Sequence, residues 1–194
     1  MRTTRVLADA NVLFSRTLRD WLLMIQLETG AGPYRVYWTE DILAETMYQL
    51  RRKNPGWDGA TTSTIRDRIT AVLEGGRIDD FAVDGTFSGD PNDQHVHAAA
   101  IAGDIDVVLT ADRGFFAEGD ADSLPYEVYL PDEFFVLVDD SVPRVVSEVA
   151  TRQVEYHVRR SGAVDLCAAL RRAGCPEFAE RVRRHVQHMD TTRL

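Results

Sequence analysis

Apolar and polar positions fall into an alternation of short strand-like runs and longer stretches with helical spacing. "TRVLAD" (4–9) reads as a first strand, and "LFSRTLRDWLLMIQL" (13–27) as the helix that follows it. "YRVYW" (34–38) reads as a second strand, after which Ile42, Leu43, Thr46, Met47 and Leu50 recur at helical intervals. A loop at "GWDGATTS" (56–63) precedes a helix running to Gly75-Gly76, and "RIDDFAV" (77–83) is a weaker third strand. "IDVVLT" (105–110) is a continuous apolar run of the kind a buried parallel strand needs, and "YEVYL" (126–130) is the fifth strand. The alternation predicts an α/β fold of three layers, with a central parallel sheet of four to five strands between helices.

Beyond "PDEFFVLVDD" only helical spacing remains. Val142, Val145, Val146 and Val149 form one stripe, which Ser161-Gly162 breaks. Ala163, Leu166, Cys167 and Leu170 form a second, stopped at "AGCP", and Phe178, Val182 and Val186 form a third. The expected organisation is an α/β domain over 1–140 and a helical C-terminal extension over 141–194. No internal repeat or low-complexity tract interrupts it.

Charge sharpens this division. The 194 residues carry a net charge of −9. Residues 1–140 hold 12 basic and 25 acidic side chains, whereas 141–194 hold 10 basic and 6 acidic, every base there being arginine. An acidic body is a poor non-specific binder of nucleic acid unless cations neutralise its carboxylates. The arginines of the extension are suited to RNA phosphate, to the body's own acids or to an acidic partner. The two cysteines, Cys167 and Cys175, match no zinc or redox spacing. No run is long and apolar enough for a signal peptide or a membrane span, so a cytoplasmic location with no membrane partner is expected.

The acids carry the candidate chemistry. In an open parallel sheet, ligands bind beyond the carboxyl ends of the strands. "RVLAD" ends at Asp9, and "VVLTAD" ends at Asp112. In "DPNDQHVHAAAIAG" (90–103), Asp90 suits a helix cap, Pro91 the first helical position, Asp93 the N3 position, and Gly103 the stop. Glu45 lies early in the helix after "YRVYW". Singly, each acid can be a cap, a turn residue or a solvated helix acid. Together at one sheet edge they repel one another unless a cation sits among them, and oxygen ligands of this kind suit Mg²⁺ or Mn²⁺. His95 and His97 are two residues apart, which points them to different faces of a helix, and they read as structural or rim residues.

The order and flanks of "LADANVLFS", "TEDILAE" and "DPNDQHVHAAAIAGDIDVVLTADRGF" resemble the PIN-domain nucleases, in particular the VapC-type toxins of bacterial toxin–antitoxin pairs. The resemblance covers about residues 4–137. It implies a metal-dependent endoribonuclease in which Asp9, Glu45, Asp93 and Asp112 hold Mg²⁺ or Mn²⁺ and carry catalysis. Asn11, Ser15, Asp90 and Thr110 take supporting roles. It also implies attack by a metal-activated water that leaves a 3′-hydroxyl and a 5′-phosphate, an RNA substrate, a cognate antitoxin and a homodimer. Many relatives carry a further acid just after the position of Asp112, where this chain has Gly114 and Phe115. The alternatives are a housekeeping RNA-processing or DNA-directed PIN nuclease, and a non-catalytic PIN-like regulatory module. The complete acid set argues against the last.

Overall fold

Val6, Leu7 and Ala8 of β1 (Thr4–Ala8) are all fully buried. Successive strand residues face opposite sides of a sheet, so both faces are covered. The computed structural model describes residues 3–30, 32–83, 85, 91–115, 124–161 and 165–187. It contains a four-stranded, wholly parallel sheet of β1, β2 (Tyr34–Tyr37), β3 (Val107–Leu109) and β4 (Glu127–Tyr129), in the order β2-β1-β3-β4. "RIDDFAV" forms no strand. Only Arg77 bridges to Trp38, and a Cβ on Gly76 would lie 2.3 Å from the Val36 carbonyl oxygen, which holds the incoming backbone tight against β2.

The helix expected over 13–27 is two helices, α1 (Ala10–Phe14) and α2 (Arg16–Thr29). Ser15 closes the first and caps the second, its hydroxyl accepting from Leu18 N at 3.4 Å. α2 is tied to the edge strand β2, because Gln26 Oε1 accepts from Val36 N at 2.6 Å and the Tyr34 hydroxyl donates to Leu22 O at 2.7 Å. Thr39 caps α3 (Glu40–Lys53) and Asp58 caps α4 (Gly59–Val72), each by accepting a first-turn N–H, as their residue types favour. α5 (Gln94–Ala102) ends at Gly103, where a Cβ would meet Ile78 Cδ1 at 2.4 Å, so close packing rather than a left-handed turn explains the glycine.

The C-terminal region is helical: α6 (Pro131–Ser141), α7 (Pro143–Ser161), α8 (Leu166–Arg172) and α9 (Pro176–Gln187). Gly162 and Ala163 lie outside the described residues. These helices share one apolar core with the sheet and α2. Phe178 of α9 meets Trp21 of α2 edge-on at 5.0 Å and stacks on Phe135 of α6 at 5.0 Å. Asp132 of α6 accepts from Glu177 N and Phe178 N at 3.1 and 2.8 Å, capping α9 from outside it. Among the described residues, two of the extension's arginines pair with acids of earlier elements. Arg152 meets Glu28 at 2.6 Å, and Arg181 meets Asp140 as well as the buried Asp139, to which His185 also bonds. Among the described residues, no helix is long and apolar enough to cross a membrane.

Candidate active site

The chain leaves β1 to form β2 on one side and returns to form β3 on the other. The carboxyl ends of β1 and β3 therefore flank a switch point, where an open parallel sheet leaves a crevice. Asp9 follows β1 directly, and Thr110, Ala111 and Asp112 follow β3. Asp9 N donates to Leu109 O at 3.0 Å, extending the ladder to the point where the two acidic segments meet.

Asp9 is 6% exposed and caps α1. Its Oδ1 accepts from Ala10 N at 2.6 Å, and its Oδ2 accepts from Asn11 Nδ2 at 2.6 Å and from the Thr110 hydroxyl at 2.7 Å. Asn11 binds the two segments together further, since its Oδ1 accepts from Ala111 N at 2.8 Å. Thr110 Oγ1 accepts in turn from Asn11 Nδ2 and from Asp112 N, at 2.9 and 3.1 Å. Asp112 Oδ1 accepts from Gly114 N at 2.7 Å, and a Cβ at Gly114 would stand 3.1 Å from that oxygen. Burial pushes the Asp9 carboxyl above the ordinary carboxylate range. The bonds from Thr110 and Ala10, and the nearby His95, work against that rise, while the charge of Asp112 adds to it.

Asp93 closes a 3₁₀ turn (Pro91–Asp93) and stands at the cap position of α5, not at N3. The α-helical turn begins only at Gln94, and the Asp93 side chain makes no capping bond. Its charge, after burial, helps to raise the Tyr126 phenol, whose oxygen lies 2.7 Å from His97 Nδ1. Glu45 is exposed on α3, one residue before buried Thr46, whose hydroxyl donates to Ile42 O at 2.8 Å. Asp90 lies outside the described residues. Asp9, Asn11, Thr110 and Asp112 thus form one bonded network, while Glu45 and Ser15 make no bond to it among the described residues. Nor, among the described residues, do three Asp, Glu, His or Cys side chains close up tightly enough to encircle an ion.

A family model described as PIN domain matches residues 5–114. The chain belongs to the PIN-domain family. PIN domains are generally nucleases and typically use divalent metals. The matched span holds Asp9, Asp93 and Asp112 and leaves out α6 to α9. No curated protein and no solved structure matches the chain at a significant level.

Within this PIN domain, two groups stand closer to the acids than sequence reasoning placed them. His95 Nδ1 is 2.8 Å from Asn92 O, so Nδ1 carries the hydrogen, and the buried Nε2 has no hydrogen-bond partner among the described residues. The ring acts electrostatically on Asp9. Tyr126, just before β4, is the second: its hydroxyl lies 2.7 Å from His97 Nδ1 and feels the charge of Asp93. Neither has a sequence signal beyond adjacency, because the positions that face them come from a separate element.

Proposed function

We propose that this PIN-domain protein is a Mg²⁺- or Mn²⁺-dependent endoribonuclease that serves as the toxin of a bacterial type II toxin–antitoxin pair. The observation that carries the metal reading is the state of Asp9. It is a buried carboxylate beside a second carboxylate, satisfied by three neutral donors, with no Lys or Arg paired to it among the described residues. Such a pair is missing a positive charge, and all its ligand atoms are hard oxygens. Mg²⁺ keeps several waters and is held by one or two carboxylates with substrate phosphate, so the Asp9 and Asp112 carboxylates suit it.

Asp9 and Asp112 would hold the ion, with Asp93 and Glu45 completing its surroundings through water. A divalent cation supplies charge stabilisation at the phosphate and lowers the pKa of water. The chain's own residues do the rest. Asn11 and Thr110 fix the Asp9 carboxylate and the Asp112 backbone in one geometry. Asp93, at the start of α5, accepts a proton from the attacking water. The water oxygen bonds to phosphorus as the P–O3′ bond breaks, and the departing 3′-oxygen takes a proton from solvent, giving a 3′-hydroxyl and a 5′-phosphate.

Expression in a bacterial host tests the toxin reading. The natural chain arrests growth and fragments RNA, while Asp93→Asn, expressed to the same level, does neither. Co-expression of a small partner protein encoded beside the gene restores growth. Arrest by Asp93→Asn equal to that of the natural chain contradicts the proposal.

A further inference from the structure

A groove of about 880 Å³ lies between α2, α4 and α7, and aromatic side chains stand around its aliphatic floor. Phe14, at the end of α1, and Trp57, just before α4, are half-buried, and Tyr156 of α7 is 49% exposed. Cations accompany the rings. Lys53 stands 5.1 Å from the centre of the Phe14 ring, and Arg160 donates to the Tyr156 hydroxyl at 2.6 Å. Of the other arginines lining the groove, Arg16 and Arg152 are paired with Asp20 and Glu28, whereas Arg19 and Arg68 form no ion pair among the described residues.

A second observation points to a ligand with a hydrogen-bond acceptor. Gln153 of α7 lines the same groove and is 8% exposed, and its Nε2 is buried without a hydrogen-bond partner among the described residues. An unsatisfied buried amide is costly, and the group it needs is an acceptor. Gln153 and Tyr156 lie beyond the family match at 5–114, so this wall belongs to the chain's own extension. The groove is also close to the acidic edge. Asp9 caps one end of α1 and Phe14 closes the other, and a helix of 5 residues is about 7.5 Å long.

We propose that this groove is a base-binding subsite for single-stranded RNA. An unpaired base with a carbonyl, such as uracil, stacks on the aromatic margin, and its carbonyl accepts from Gln153 Nε2. The neighbouring phosphates meet Arg68 and Arg160. Rings interleaved with cations are the means by which proteins hold single strands. The aliphatic floor alone would suit the apolar face of a helix, but the paired rings and cations and the buried amide donor suit a base with its phosphates. The inference rests on the ribonuclease reading for the identity of the strand, and it adds a subsite that selects the sequence beside the cut.

The test measures binding by the full chain in EDTA, which stops metal-dependent cleavage, using oligo(U) and oligo(A) of about eight nucleotides. Trp57 lines the groove, whereas Trp21 and Trp38 are buried, so Trp57 emission reports on occupancy. Oligo(U) quenches the emission saturably. Trp57→Phe loses the quench while still binding fluorescein-labelled oligo(U) by anisotropy. Tyr156→Ala and the double variant Arg68→Glu/Arg160→Glu each weaken binding about tenfold, as expected for a lost stacking or phosphate contact. Gln153→Leu weakens oligo(U) and leaves oligo(A) unchanged. The inference is overturned by the lack of a saturable quench, by unchanged affinity in the Tyr156 or arginine variants, or by a Gln153→Leu protein that treats the two oligomers as the natural chain does. A quench given only by an acidic amphipathic peptide overturns it too. Cleavage with Mn²⁺ is scored separately. Cleavage without groove binding sinks this inference alone, and groove binding without cleavage sinks the nuclease reading alone.

Discussion

The Thr110 hydroxyl donates to Asp9 Oδ2 at 2.7 Å, joining residues 101 positions apart. Thr110 Oγ1 in turn accepts from Asn11 Nδ2 and from Asp112 N. One fully buried hydroxyl therefore sets the position of the buried acid and of the backbone that carries the exposed one.

Thr110→Val keeps the shape and removes this hydroxyl. It leaves one donor on Asn11 and the Asp112 N–H short of an acceptor, a loss of about 1–3 kcal/mol. Thr110→Ser keeps the network and loses one methyl, about 0.8 kcal/mol. Urea unfolding of the three proteins at constant m separates them. If Val is no less stable than Ser, the network does not hold the acidic edge together.

The acid edge also makes stability depend on pH. The Asp9 carboxyl is raised above 3.8 in the fold, chiefly by burial, so the folded state holds its proton more tightly than the unfolded chain does. Its contribution is fully present below the unfolded value and is lost as pH rises through the folded one. In EDTA, the stability of the natural chain relative to Asp9→Asn therefore falls from pH 3 upward and levels off above the raised pKa. Adding Mn²⁺ at neutral pH restores stability to the natural chain and not to Asp9→Asn. Paired denaturant titrations across pH check this, and a difference that is flat or rises with pH contradicts it.

The thiols report on the C-terminal core. Burial pushes Cys175 up to about 12 and raises the half-buried Cys167 by less. At pH 8 Cys175 is a buried thiol with almost no thiolate, the reactive form. Mass spectrometry after iodoacetamide treatment should find Cys175 unmodified in the native protein and both cysteines modified in urea. Labelling of native Cys175 as fast as Cys167 would mean that α8 and α9 do not pack as described.

Legibility in the sequence followed how local each cause is. β1 and β3 are continuous apolar runs because both sheet faces are covered, and that pattern needs no partner to be read. "RIDDFAV" is the weaker pattern, interrupted by Asp79 and Asp80, and it contributes only the Trp38–Arg77 bridge. The break at Ser15 was hidden because apolar spacing continues across it, although a serine that can close one helix and cap the next was visible. Asp9 and Asp112 were legible because each follows a strand, whereas Asn11 and Thr110 were legible only through the family resemblance. The surroundings of His95 and Tyr126 were not legible, since α5 and β4 meet only in the fold.

The central claim, metal-dependent RNA cleavage at the acidic edge, is tested most directly by incubating purified protein with total RNA and mapping the cut ends. Internal cuts bearing 5′-phosphate and 3′-hydroxyl groups should form with Mg²⁺ or Mn²⁺, and disappear both in EDTA and in an Asp9→Asn protein whose circular dichroism matches the natural chain. Cleavage that persists undiminished in EDTA, or in folded Asp9→Asn, contradicts the account.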